Sequence, residues 1–302
     1  MSQTLTPAPA PTASVTRPPV RRRRSPRRVW HSVWTIAVTA VVLIIVVYPL
    51  VWLVLGSLKT QPEFFDNPTF ALPENWGNLD NYVAAITEGN LGTYARNSVL
   101  AVFPSLALTI LFGVAAGFAL EIMVWKGRSS VLVLFLAGIM VPGQMILLPL
   151  FTMYFKIGLT GSLWPLIITY TAIGLPLTVF MMATFFRGVP REIFEAATLD
   201  GANVLRMFFS VGLPLVRNAI FTVALVQFFF IWNDLLIALT FTNRDDLRTI
   251  QVGLLNFRGQ FGQVDYGPTF AAICLNVFGT LAIYLFLNQR VMKGLTAGSV
   301  KG

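Results

Sequence analysis

The 302-residue chain holds one cysteine, Cys274, and one histidine, His31. A single cysteine excludes an internal disulfide, and its apolar neighbours mark it as a core thiol. One histidine and one cysteine are too few for an ordinary zinc site. A Ser-His-Asp triad would have to use His31, which stands beside an arginine run at the edge of an apolar stretch. The five lysines (Lys59, Lys126, Lys156, Lys293, Lys301) follow Leu, Trp, Phe, Met and Val. A P-loop needs glycine before its lysine, so none is present. Charge is scarce as well, at 12% of residues, where an average soluble domain carries about 25%. Metal hydrolysis, triad chemistry and P-loop ATP hydrolysis all drop out for this chain.

What remains is apolar: 55% of the residues are hydrophobic. An apolar stretch of about 20 residues spans the hydrocarbon core as a helix. Stretches free of Asp, Glu, Lys and Arg cover 29–58, 97–120, 129–155, 157–186 and 266–289, and 218–243 is interrupted only by Asp234. The expectation is an all-α membrane protein with six transmembrane helices. The first stretch is too long for the apolar region of a signal peptide, and no small-residue cleavage site follows it. It reads as an uncleaved helix.

The net charge of +9 is not a nucleic-acid signature once it is located. Seven arginines and no acid lie in the first 28 residues, and the rest of the chain carries only +2. Residues 1–28 therefore read as a basic tail, rich in Pro, Ala and Thr and expected to be disordered, ahead of a membrane domain over 29–302. With the N-terminus inside, the cytoplasmic segments hold 16 basic residues and the outer ones 6. That asymmetry predicts both termini on the cytoplasmic side of the membrane.

The segment 188–214 is the most informative. Pro190 suits a first helical turn, and Glu192 and Glu195 near the start favour the helix dipole. Ile193, Ala196 and Ala197 make one shallow apolar face. Asp200-Gly201 breaks the helix, with glycine supplying a left-handed residue. A second short helix over 202–209 is expected to stop at Gly212-Leu213-Pro214. The whole reads as a cytoplasmic helix–Gly–helix coupling elbow. An amphipathic connector lying on lipid is the alternative.

Glu195-Ala196-Ala197, Asp200-Gly201-Ala202 and Leu213-Pro214 in this order resemble the EAA loop of bacterial ATP-binding cassette importer permeases. Trp232-Asn233-Asp234 and the ending Gly294-Leu295-Thr296-Ala297-Gly298-Ser299-Val300-Lys301-Gly302 extend the likeness. Together they resemble carbohydrate-uptake permeases, the group that includes the smaller membrane subunit of the maltose transporter. The resemblance covers about residues 30–302. It implies a permease with no enzymatic activity, docked through Glu195, Ala196, Ala197, Asp200, Gly201 and Ala202 onto a cytoplasmic ATPase. Leu295, Thr296, Ala297, Gly298 and Lys301 would add a second ATPase contact. By composition, that small, glycine-bearing ending would be disordered alone. The implied partners are a homologous second permease, two ATPase subunits that bind ATP and magnesium, and an extracellular solute-binding protein. No cofactor is expected in this chain itself. The outer loop 242–267, through Phe257, Gln260, Gln263 and Tyr266, would face the binding protein; an ordinary solvated loop is the alternative.

Polar residues inside apolar spans are functional candidates by default. Gln144, Gln227, Asn233, Asp234 and Asn276 are the candidates for a carbohydrate path, with helix–helix hydrogen bonding or capping as the competing role. Prolines 104, 142, 149, 165 and 176 can kink helices around a cavity. A proton- or sodium-coupled carrier would need more spans and midplane ionisable groups. A membrane-embedded enzyme would need a catalytic pair, and none is evident.

Overall fold

The computed structural model describes residues 26–257 and 264–298, with side chains described for 34–257 and 264–285. Regular structure among these residues is helical. The order is α1 (Pro26–Ser57), α2 (Gln61–Asp66), α3 (Asp80–Thr87), α4 (Leu91–Glu121), α5 (Arg128–Ile139) and α6 (Gly143–Lys156). Then follow α7 (Trp164–Arg187), α8 (Arg191–Leu199), α9 (Val204–Trp232), α10 (Leu236–Phe241), α11 (Ile250–Gly253) and α12 (Tyr266–Gly298). Five helices are long and apolar enough to cross a membrane: α1 from Trp34, α4, α7, α9, and α12 to Leu285. The chain divides into two compact units, 1–51 and 52–302.

In the first unit the described part is α1 up to Val51. It is apolar on every face, with Ile44 and Ile45 both exposed, as a helix surrounded by lipid requires.

The second unit is built on α4 and α7, which pack along their length. Gly113 and Gly117 of α4 form a small-x-x-x-small stripe that lets the backbones approach closely. A Cβ on Gly117 would sit 2.7 Å from Met182 Cβ and 3.0 Å from the Ala183 amide nitrogen, and one on Gly113 would overlap Thr178. Helix α9 packs on both α4 and α7, and α12 packs on α3 and α9. Two connecting segments are tied back by side chains. Asn81 Nδ2 donates to the Ser57 and Lys59 carbonyls, both at 2.8 Å. Asn97 Nδ2 donates to the carbonyls of Asp246 (2.8 Å) and Arg248 (3.0 Å), while Ser98 Oγ accepts from the Ile250 amide at 2.9 Å.

Three expectations change. The third span is broken: α5 and α6 meet at a 94° bend across Met140–Pro142. Pro142 offers no N–H and holds the residue before it away from helical geometry, so it ends one helix and caps the next. Gly212-Leu213-Pro214 do not stop a short second helix, and that helix starts at Val204 rather than Ala202. Instead α9 runs on through a π-helical stretch, Met207–Gly212, to Trp232. The wider turn shifts the pairing by one residue just ahead of Pro214, with the Leu213 amide donating to the Phe208 carbonyl. Proline's missing donor is accommodated within that shift. Finally, the α12 backbone stays helical through Gly298. Leu295, Thr296, Ala297 and Gly298 lie within that helix, while Lys301 lies outside the described residues.

Candidate functional site

The elbow begins where α7 ends. Gly188 closes α7, its amide donating to the Phe185 carbonyl at 3.2 Å. Pro190, with φ −55° and ψ 130°, stands just before α8 as its cap. At the other end, Gly201 takes φ +77°. The Ala202 amide reaches back to the Ala197 carbonyl and the Gly201 amide to the Thr198 carbonyl, both at 3.0 Å. This is a Schellman closure, and it needs a left-handed residue at Gly201. Asn203 then caps α9, its Oδ1 accepting from the Arg206 amide at 2.8 Å.

One side chain anchors the elbow. Phe194 is buried with its ring 6.0 Å from that of Phe118. Phe118 also meets Phe186 at 5.5 Å and Phe208 at 5.2 Å, each edge to face. A single ring on α4 thus touches α7, the elbow helix and the π stretch of α9. Beside it, Arg187 of α7 makes a two-pronged ion pair with Glu121 of α4, at 2.9 and 3.2 Å.

The elbow residues singled out by sequence remain available to a partner. Glu195, Ala196, Asp200 and Gly201 are exposed, and Ala197 and Ala202 are half-buried. Ile193 keeps part of its surface free, and Leu199, which the motif reading passed over, is 89% exposed. Glu195 with Arg191, Thr198 and Met207 also borders an open cavity of about 360 Å³.

A second cavity, of about 370 Å³, opens where the third span bends and the fifth breaks. Gln144 enters it from the start of α6, Gln227 from α9, and Asp234 from the three-residue break between α9 and α10. Asp234 Oδ2 accepts from the Tyr170 hydroxyl at 2.8 Å and from the Ala238 amide at 3.0 Å. The second bond caps α10, and the first ties the break to α7. Gln227 is buried, and its Nε2 donates to the Gly174 carbonyl (3.1 Å) and to Thr178 Oγ1 (2.9 Å). The structure therefore gathers three of the five expected path residues. Asn233 does not border this cavity: its Nδ2 donates to the Phe229 carbonyl at 3.0 Å, finishing α9. Asn276 is buried on α12, with Oδ1 unpartnered among the described residues. Tyr170 was missed because tyrosine counts as apolar in a hydropathy scan.

Of the loop residues, Phe257 turns inward: it is 8% exposed and packs against Gly89. As a large aromatic side chain in a polar loop it buries its ring rather than offering it to a partner. Tyr266 keeps exposed surface beside Phe64. Gln260 and Gln263 lie outside the described residues.

Apolar spanning helices, a polar-edged cavity at two helix breaks and a capped elbow at one end define a membrane transport subunit. The chain belongs to the family of binding-protein-dependent transport system inner membrane components, whose model matches residues 109–293. It is thus a permease subunit and not itself an enzyme. It is 33% identical over 259 residues to the diacetylchitobiose uptake system permease protein NgcG of Streptomyces coelicolor, covering 85% of each chain. It is 31% identical over 281 residues to the probable ABC transporter permease protein YurM of Bacillus subtilis, covering 92% of each. It is likewise 31% identical to the arabinooligosaccharides transport system permease protein AraQ of Halalkalibacterium halodurans, over 94% of this chain and all of that one. A chain of a bacterial ABC transporter that imports the acidic polysaccharide alginate shares the fold, with TM-score 0.76, 18% identity, and 88% of this chain and 98% of that one covered.

Proposed function

We propose that this chain is one permease of an ATP-driven, binding-protein-dependent oligosaccharide importer in a bacterial inner membrane. The observation that carries the reading is near full-length similarity to permeases named for diacetylchitobiose and arabinooligosaccharide transport. The cavity is chemically apt, since carbohydrate recognition uses planar polar groups beside aromatic faces. Gln144, Gln227 and Asp234 supply the first, and Phe230 with Tyr170 the second. A second permease completes the path, two ATPase subunits bind ATP and magnesium, and an extracellular binding protein delivers substrate. The elbow docks in a cleft of one ATPase, with Leu199 and Ala196 as its apolar contact and Glu195 as its charge. The C-terminal residues Leu295 to Lys301 add a second contact. Both termini face the cytoplasm. Binding closes the ATPases, the elbow moves, and the helices rock around the cavity to expose it alternately to each side.

The test is uptake of labelled oligosaccharides by cells with and without the gene. Loss of ATP-dependent uptake of at least one saccharide, restored by the intact chain, is expected. Unchanged uptake across a broad saccharide panel overturns the reading.

A further inference from the structure

The polar groups of the 370 Å³ cavity are unevenly used. Both hydrogens of Gln227 Nε2 are spent on Gly174 and Thr178, and Oε1 accepts no hydrogen bond among the described residues. Oε1 lies 3.1 Å from the point a Cβ on Gly174 would occupy, and Thr109 Oγ1 lies 3.4 Å from that same point. Thr109 Oγ1 is buried and has no hydrogen-bond partner among the described residues. The Tyr170 hydroxyl gives its proton to Asp234 Oδ2, which also receives the Ala238 amide. Among the described residues no hydrogen bond is made to Oδ1 at ordinary distance, and the Ile237 amide also lies against this carboxylate. Among the side chains described there, the Gln144 amide is the one with N–H groups not engaged in hydrogen bonds, and the first backbone amides of α6 also border the space. Among the described residues, no lysine, arginine or histidine lines the cavity.

We infer that this cavity selects for uncharged, hydroxyl-rich saccharides and rejects those carrying a carboxylate, with Asp234 as the specificity-determining residue. This rests on the carbohydrate reading above and narrows its substrate class. Hydroxyl groups donate to Asp234 Oδ1 and Gln227 Oε1, while the ring's apolar face lies on Phe230. A uronate brought to the same place sets one carboxylate against another with no cation between them. Away from bulk water that repulsion is poorly screened, and discrimination by unmatched charge is a common route to specificity.

The test uses the whole transporter, purified with its partner subunits in lipid nanodiscs and without the binding protein. This removes the binding protein's own selectivity. Calorimetric titration compares cellobiose and maltose with the corresponding disaccharides oxidised to a uronate at one C6. At least one neutral disaccharide should bind, and its uronate at least about ten-fold more weakly. Gln144 is exposed, so Gln144→Arg adds a cation without disturbing packing, and it should narrow that gap about ten-fold. Asp234→Asn should narrow it likewise, whereas Asp234→Glu should keep it. A uronate that binds as well as its neutral counterpart overturns the inference, as does a gap unmoved by Gln144→Arg. Absence of binding by every disaccharide also overturns it. In that case uptake by cells still decides the carbohydrate reading separately.

Discussion

The rings of Phe118 and Phe208 meet edge to face, their centroids 5.2 Å apart. One belongs to a membrane-spanning helix and the other to the π stretch that follows the elbow. Gly212, in the same stretch, leaves room for that ring: a Cβ there would lie 3.2 Å from Phe118 Cε2. The elbow and the spans are therefore joined through side-chain packing around this one ring.

Truncating this ring should loosen both stability and coupling. Phe118→Ala empties a site shared by three elements and should cost about 3 kcal/mol. Phe118→Leu should cost roughly half as much. Thermal unfolding of the purified transporter measures the first effect, and the ratio of ATP hydrolysed to substrate moved measures the second. An unchanged ratio in a folded Phe118→Ala transporter would refute the coupling role.

Glu195 is exposed on the elbow. If it faces a basic group on the ATPase, Glu195→Lys should weaken docking by about 1–3 kcal/mol. Less ATPase should then co-purify with the permease, while membrane insertion survives. Normal co-purification and uptake would remove Glu195 from the docking surface.

Gly201 holds φ +77° with open space around its missing side chain. Substitution there meets backbone strain and no clash. Gly201→Val should cost about 1–2 kcal/mol, because the left-handed region is closed to β-branched residues. Gly201→Asn, which tolerates that region, should retain most uptake. Equal loss in both variants would mean the side chain, rather than the backbone angle, is at fault.

Glu63 gives the segment after α1 a pH dependence. Burial acts to raise its pKa, but the Glu74 and Thr60 amides, the Thr60 hydroxyl and the nearby Lys59 charge outweigh it, and the carboxyl is held below its ordinary value. Its Oε2 accepts from the Thr60 amide at 2.6 Å and its Oε1 from the Glu74 amide at 2.8 Å. A depressed carboxyl stabilises the fold fully above its unfolded pKa and loses that stability as pH falls through the folded value. Stability should therefore drop on acidification below the ordinary carboxylate range. Glu63→Gln should be less stable at neutral pH and lose part of that acid dependence in thermal scans. Identical pH profiles for both proteins would exclude the role.

Orientation is open to cysteine labelling. In a Cys274→Ala background, Thr198→Cys should react with an impermeant maleimide only from the cytoplasmic side and Phe70→Cys only from outside. The reverse pattern would overturn the topology and the docking proposal together.

The spans were legible because lipid imposes a length and a composition, and both are written along the chain. Direction is not. The 94° bend at Pro142 lies inside one uncharged run, and hydropathy is blind to a change of course. The closing of α8 was legible from Asp200-Gly201, where one residue type answers one backbone need. The continuation of α9 past Gly212-Leu213-Pro214 was not, because a π turn can absorb a proline that would otherwise end a helix. Gln144, Gln227 and Asp234 stood out as polar residues in apolar surroundings, and the fold gathers them. Asn233 stood out equally, yet it finishes a helix. Polarity alone does not separate a residue that borders the cavity from one that only finishes a helix. Gly113 and Gly117 could have been found from their four-residue spacing.

The α4–α7 pair and the fifth span differ in how they can carry force. Where Gly117 meets Met182 and Ala183 the two helices approach too closely to admit a side chain, so the pair forms one tightly packed beam. Helix α9 instead has a joint at each end: the π stretch of Met207–Gly212 beside the elbow, and the break at Asp234 beside the cavity. It can act as a connecting rod, passing displacement from one end to the other while its middle stays straight.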